Sequence, residues 1–324
     1  MNFLEDVMFH IIGTGMYVPE RIVTNDELST MVDTNDEWIK QRVGISERRI
    51  STDEWTSDMA YKAALNALEN ANCKPEDLDY IITATVSGEY VSPSTACMVQ
   101  KLLGATCPAL EINAACSAFL FLLETAAGLF ARKKANKILV IGAERLSGIM
   151  DWSDRGTCII FGDGAGAAVL EGGTDGYLDS VVTVQGNDEV ITIPNFVGCS
   201  PFFTKEADTP YVHMMGQETF KYAVSSICAD VNTLLTQNNL TLDDISYIVP
   251  HQANKRIIDF AAKKLKTTEE KFYLNIDRFG NTSSASIPIA LDELNRAGKL
   301  HKGDYIILTA FGGGLANAAC LIRW

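Results

Sequence analysis

The sequence predicts an α/β protein made of two similar halves with mixed, mostly parallel sheets. Three observations lead there. Short segments recur at a constant offset: Leu78-Asp79-Tyr80-Ile81-Ile82, after Glu76-Asp77, returns 167 residues later as Ile245-Ser246-Tyr247-Ile248-Val249, after Asp243-Asp244. Residues 137–143 line up with 304–310 at the same offset of 167, and Leu110-Glu111-Ile112 with Leu274-Asn275-Ile276 at 164. Strand-like and helix-like segments also alternate along both copies, as in βαβ units. Finally, the strands are unbroken β-branched runs, the pattern of strands buried on both faces.

Taken in order, the first strand starts just after His10, and Gly13-Thr14-Gly15 within it lacks the third glycine of a dinucleotide-binding turn. An amphipathic helix follows over 57–71, then a strand over 80–85. The strand at 110–112 ends in small residues, then Cys116, then the apolar helical run 119–123. Strands are read at 137–143 and 158–161, the second feeding the glycine run 162–166, which brings backbones close together. The halves join near residue 175, giving units 1–175 and 176–324. The second unit repeats the order: a helix over 217–238, a strand at 247–249, a helix after His251, the loop 277–286 and a strand at 304–310. Three glycines and a last strand holding Cys320 complete it.

Composition narrows the function. With 41 acidic against 27 basic residues the net charge is −14, which argues against general nucleic-acid binding. No apolar run approaches the roughly 20 residues that span a bilayer. Residues 1–9 hold Glu5 and Asp6 and no positive charge, so a cytoplasmic, non-membrane protein is expected. The eight cysteines (73, 97, 107, 116, 158, 199, 228, 320) include no CxxC pair and are read as free thiols. No metal site is expected.

The chemistry gathers in four loops. Cys116 at a helix N-terminus is placed where the dipole and free amides favour a nucleophilic thiolate. His251, in Pro250-His251-Gln252-Ala253-Asn254, follows the repeated strand of the second half. Asn281 lies behind Gly280 in the loop equivalent to that of Cys116. The run Phe311-Gly312-Gly313-Gly314 offers close backbone approach and exposed amides. Each alone has a plainer reading: a core cysteine, a satisfied core histidine, a turn asparagine, a tight turn. Together they supply a nucleophile, two neutral hydrogen-bond donors and an oxyanion hole, a set suited to acyl transfer followed by carbon–carbon bond formation.

These strings, with Asn35-Asp36-Glu37-Trp38-Ile39, Asp154-Arg155-Gly156-Thr157 and Phe161-Gly162-Asp163-Gly164-Ala165-Gly166, resemble β-ketoacyl-acyl carrier protein synthase III, nearly end to end from Ile11 to Trp324. The resemblance implies the thiolase fold, layered α-β-α-β-α, in a homodimer. It implies the initiating condensation of fatty acid synthesis, from acyl-CoA and malonyl-acyl carrier protein, with no cofactor beyond the thioester substrates. Cys116 would carry the acyl group and His251 and Asn281 would stabilise the enolate. The amides of Cys116 and Gly313 would form the oxyanion hole. Trp38, Arg42, Arg155 and Asn254 would bind CoA. Lys221, Lys255, Arg256, Lys263 and Lys264 would dock the acidic carrier protein, with Asp259 as the one acid among them. Ser92 and Phe311 would shape the acyl pocket, the small Ser92 leaving room for a longer or branched starter. A polyketide-type condensing enzyme or acyltransferase with the same Cys-His-Asn set is the alternative.

Overall fold

The computed structural model describes residues 8–195, 202, 204 and 208–324; Cys199 and part of the loop 188–210 lie outside them. The first half contains β1 (Met8–Tyr17), β2 (Ile22–Thr24), α1 (Asn25–Leu28), α2 (Asp36–Val43), β3 (Glu47–Arg49) and α3 (Thr56–Asn70). It continues with β4 (Tyr80–Ala84), α4 (Thr95–Leu103), β5 (Ala109–Ile112), α5 (Ala118–Ala131), β6 (Lys137–Glu144), α6 (Arg155–Cys158) and β7 (Gly164–Gly173). The second half opens with β8 (Tyr177–Asn187), the short β9 (Ile191–Thr192) and β10 (His213–Met214), and α7 (Gly216–Gln237). After these come β11 (Ile245–Pro250), α8 (Lys255–Leu265), α9 (Ile276–Phe279), α10 (Ser286–Arg296), β12 (Tyr305–Gly312) and β13 (Gly314–Arg323).

Two sheets carry the architecture, one ordered β1-β7-β6-β4-β5 and the other β11-β12-β13-β8. The five strands of the first sheet lie between Met8 and Gly173 and the four of the second between Tyr177 and Arg323, with β2–β3 and β9–β10 as separate two-stranded pairs. Helices α3 and α4 cover the outer face of the first sheet, α5 and α10 fill the space between sheets, and α7 and α8 cover the second. The result is the layered α-β-α-β-α arrangement. The middle layer explains the sequence of α5: Phe119, Leu120, Leu122, Leu123 and Ala126 are all buried because both sides of the helix face a sheet. Gly15 of β1 shows why no phosphate turn was needed there. A Cβ at Gly15 would stand 2.2 Å from Ala67 N of α3, so the glycine serves close helix–strand contact.

Three expectations need correction. The sheets are mixed, as expected, but not mostly parallel: β4 pairs in parallel with β5 and β6, and β11 with β12, while β1–β7, β6–β7, β12–β13 and β8–β13 are antiparallel. β13 starts one residue after β12 ends, far too soon for a crossover. Apolar runs report burial on both faces, which a central strand of either direction shares. Residues 158–161 are no strand; α6 ends at Cys158, and Phe161 makes one isolated bridge to Asn281. Nor do 274–276 match β5. That stretch turns into α9, and what remains of the equivalent strand is the single bridge Ile248–Phe272.

One buried group in the second half makes stability depend on pH. Asp230 of α7 is 4% exposed and accepts from Asn317 Nδ2 of β13 at 2.7 Å. Burial raises its carboxyl to about 6, against the Asn317 hydrogen bond that lowers it. A raised folded-state pKa favours the folded chain most below the ordinary aspartate range, and that advantage is lost as pH rises through about 6. Asp230→Asn is therefore expected to match wild type near pH 4 and to be more stable near pH 8, by on the order of 2–3 kcal/mol. Chemical denaturation at both pH values checks this, and a constant difference would contradict it.

Candidate active site

Cys116 stands between β5 and α5. Ala115–Ser117 form one 3-10 turn, entered by Ala115 at φ +48 and held by the Ser117 hydroxyl donating to Ala114 O at 2.9 Å. The first free amides of α5 lie at this turn. The thiol is half-buried, opening onto a cavity. The expected pull toward thiolate is outweighed: burial pushes Cys116 up to about 11, with the Ser283 side chain acting downward and Glu144 upward. Glu144, at the end of β6, is wholly buried, accepting from Thr85, Val86 N and Ser87 in the first half and from Ser284 in the second.

His251 follows β11, its amide donating to Thr309 O of β12 at 2.8 Å. The ring is buried, and burial drives it down to about 3, with only the Ser283 backbone opposing. It is neutral throughout the working pH range. Phe311 meets it edge-on at 5.4 Å and 66°. Nδ1 lies 2.8 Å from Ser286 Oγ, itself 2.8 Å from Ser283 O. Ser286 has one hydroxyl proton: when it is turned from Ser283 O to Nδ1, Nε2 carries the ring proton and becomes a donor. Gln252 has no part in the chemistry: it clips this loop down, donating to Pro250 O and Tyr273 O and accepting from Asn275 N.

Asn281 is fixed from the other half of the chain. Its amide donates to Ile160 O at 2.9 Å, and Gly162 N donates back to Asn281 O at 3.0 Å. A Cβ at Gly162 would sit 2.2 Å from Phe279 O, so the glycine run does bring two backbones together. Ser283 N donates to Asn281 Oδ1 at 2.8 Å, which settles the amide orientation and leaves Nδ2 as the donor end.

Cys116, His251, Asn281 and Phe311 all line one cavity of about 180 Å³ with an otherwise largely apolar wall and Gly156 and Asn254 also on it. Gly312 presses on the nucleophile so closely that a Cβ there would lie 2.7 Å from Cys116 N. Gly313 instead borders a second, wider cavity of about 810 Å³ with Tyr90, Val91, Phe121 and Val184. Ser92 is exposed and lines neither cavity of its own chain; the neighbouring Tyr90 and Val91 do, because the loop turns Ser92 outward.

Apart from Asn254, the other candidates lie away from this floor. Trp38 and Arg42 ride on α2, which Asn35 caps by accepting from Trp38 N at 2.8 Å. Arg155 stacks on the Trp38 ring at 4.9 Å, with Arg42 at 5.8 Å, and donates to Asp33 O at 2.7 Å. Asn254 caps α8, accepting from Arg256 N at 2.9 Å. On α8, Arg256, Lys263 and Lys264 are exposed, as is Lys221 on α7. Lys221 pairs with the one acid Glu218 at 3.0 Å, whereas Lys255 pairs with two, Asp259 at 2.8 Å and, farther along the chain, Glu269 at 2.9 Å. The sequence reading missed Ser283, Ser286 and Glu144, since a serine or a strand-end glutamate carries no spacing signal of its own.

Comparison with known proteins agrees with this arrangement. Residues 110–186 match the family model of 3-oxoacyl-(acyl-carrier-protein) synthase III, and residues 235–324 match its C-terminal model. β-Ketoacyl-(acyl-carrier-protein) synthase III of Clostridium acetobutylicum is 46% identical over 322 residues, covering 97% of this chain and 98% of that one. Its Clostridium beijerinckii counterpart is 49% identical over 318 residues, again covering 97% and 98%. The crystal structure of 3-oxoacyl-(acyl-carrier-protein) synthase III from Aquifex aeolicus superposes with a TM-score of 0.92 at 44% identity, covering 98% of this chain and 100% of the other. The chain belongs to the β-ketoacyl-acyl carrier protein synthase III family of condensing acyltransferases.

Proposed function

We propose that this chain catalyses the initiating condensation of fatty acid synthesis, from acyl-CoA and malonyl-acyl carrier protein to 3-oxoacyl-acyl carrier protein, CO2 and CoA. The observation that carries the reading is the convergence of a thiol, a neutral imidazole and an oriented amide on one largely apolar cavity. Cys116 Sγ attacks the acyl-CoA carbonyl, the amides of Cys116 and Gly313 hold the oxyanion, and CoA leaves. Malonyl-acyl carrier protein then binds. In a dry cavity its carboxylate departs as CO2, while His251 Nε2 and Asn281 Nδ2 donate to the thioester oxygen as the enolate forms. The enolate carbon attacks the acyl-Cys116 carbonyl, and collapse of that adduct expels the Cys116 thiolate, which takes a proton from solvent to restore the thiol. No cofactor beyond the thioesters is required by these steps. At 46% and 49% identity to synthase III enzymes, the polyketide-type alternative is the less favoured reading. Incubating the purified chain with acyl-CoA and malonyl-acyl carrier protein should release CO2 and 3-oxoacyl-carrier protein in equal amounts. Product in neither form would overturn the reading.

Substrate contacts follow as part of the same proposal. Trp38 and Arg155 take the CoA adenine, which requires Arg155 to swing off the ring it now covers. The acidic carrier protein docks on Arg256, Lys221, Lys263 and Lys264. Phe260, 49% exposed beside Phe220, gives that patch an apolar centre. Arg256→Glu is expected to raise KM for malonyl-acyl carrier protein about tenfold, chiefly at low salt, and Lys255→Ala to change it far less. Equal effects of the two substitutions on KM would contradict this ordering.

A homodimer in the cytoplasm completes the proposal. β5 is a sheet edge with one side unpaired, and Val91, 85% exposed, and Val184, 59% exposed, surround the wide cavity beside it. A second copy pairing at β5 would cover this face. Ser92 would then shape the acyl pocket only from across that interface.

A further inference from the structure

Ser283 touches the machinery at three points. Its amide donates to Asn281 Oδ1 at 2.8 Å, and its carbonyl lies 2.8 Å from Ser286 Oγ, the hydroxyl beside His251 Nδ1. To make both contacts the residue holds φ at +48, uncommon for any residue but glycine. Its side chain is 2% exposed and faces the cavity that Cys116 lines, yet among the described residues Oγ has no aligned hydrogen-bond partner. A buried hydroxyl without a partner is rare and calls for one that arrives during function. The Cys116 sulfur lines the same cavity and changes charge during the reaction, and the Ser283 side chain acts to favour its ionised form.

We propose that Ser283 is a positioning residue for the nucleophile, its Oγ–H donating to Cys116 Sγ when that sulfur becomes a thiolate. The inference rests on the reading of Cys116 as the acylated residue. In the thiol state the hydroxyl waits unaligned. On ionisation it gains an anionic acceptor, a stronger partner than any neutral group. The proton lost by Cys116 ends on the departing CoA sulfur, so acyl transfer is balanced. The strained backbone has a reason in this picture. One residue ties to a common frame the Asn281 amide, through its N–H, the Ser286–His251 pair, beside its C=O, and the cavity that Cys116 lines, through its hydroxyl.

The test is the pH profile of Cys116 alkylation by iodoacetamide, read by peptide mass, in wild type, Ser283→Ala and Ser283→Gly. Glycine accepts φ +48 without strain, so it keeps the comparison open if the alanine variant folds poorly. Both variants are expected to move the alkylation midpoint up by about one pH unit, slowing alkylation about tenfold at a pH below it. A residue that only shaped the loop would change the yield of modified protein without moving that midpoint. Unchanged midpoints in both variants, with wild-type Cys116 still acylated by acyl-CoA, would overturn the role of Ser283 alone. Failure of wild-type Cys116 to accept an acyl group would instead overturn the reading beneath it.

Discussion

Replacing His251 with alanine should slow CO2 release from malonyl-acyl carrier protein by about a hundred- to a thousandfold, the usual cost of one lost oxyanion donor. Acyl transfer from acyl-CoA to Cys116 should survive, because that half-reaction uses the backbone amides. Asn281→Ala should show the same division, since Asn281 Nδ2 is the second donor to the same oxygen. The donors act as neutral groups. Burial holds the His251 ring near 3, far below its ordinary value, so no proton enters or leaves it between pH 5 and 8. Decarboxylation by wild type should therefore show no break near pH 6.5 attributable to an imidazole. Such a break, lost in His251→Ala, would mean that the ring works as a charged acid. Neutrality also suits the direction of the chemistry: an imidazolium beside the malonyl group would stabilise the departing carboxylate and hold it in place.

Cys116→Ala should have the opposite signature. Condensation should fall by at least about a thousandfold, as expected for loss of a covalent nucleophile. Decarboxylation of malonyl-acyl carrier protein should persist, because His251 and Asn281 are untouched and the cavity keeps its apolar wall. The two variants thus separate the halves of the reaction. Each is read from the same pair of measurements, CO2 release and acyl transfer. Loss of both activities in Cys116→Ala would mean that the thiol also builds the decarboxylation site, contrary to the division of labour drawn from the geometry.

Much of this was legible in the sequence. The repeat at 167 residues marked two strand–helix arrays, and the apolar run of α5 marked a helix enclosed on all sides. Cys116 and His251 stood out because each lies between a strand and a helix, Asn281 because it lies just before the helix α10, and the glycine triplet because it joins β12 to β13. Strand direction was not legible, because a buried antiparallel strand such as β7 is as evenly apolar as a parallel one. Charge state was also hidden. The helix N-terminus at Cys116 argued for a thiolate, but enclosure by the cavity walls and the proximity of Glu144 act the other way, and neither is local in sequence. Lys255 looked free for docking because Glu269 reaches it only through the turn that follows α8. Ser283 was hidden for a related reason: its three contacts depend on a backbone angle that serine seldom adopts.

Intact-protein mass measurement of wild type and Cys116→Ala, first with a panel of acyl-CoAs and then with malonyl-acyl carrier protein, tests the central claim most directly. Wild type alone should gain an acyl mass, mapped to Cys116, and lose it when malonyl-acyl carrier protein is added and 3-oxoacyl-carrier protein appears. An acyl mass on both proteins, or none on either, would contradict the assignment of Cys116 as the residue that carries the growing chain's first unit.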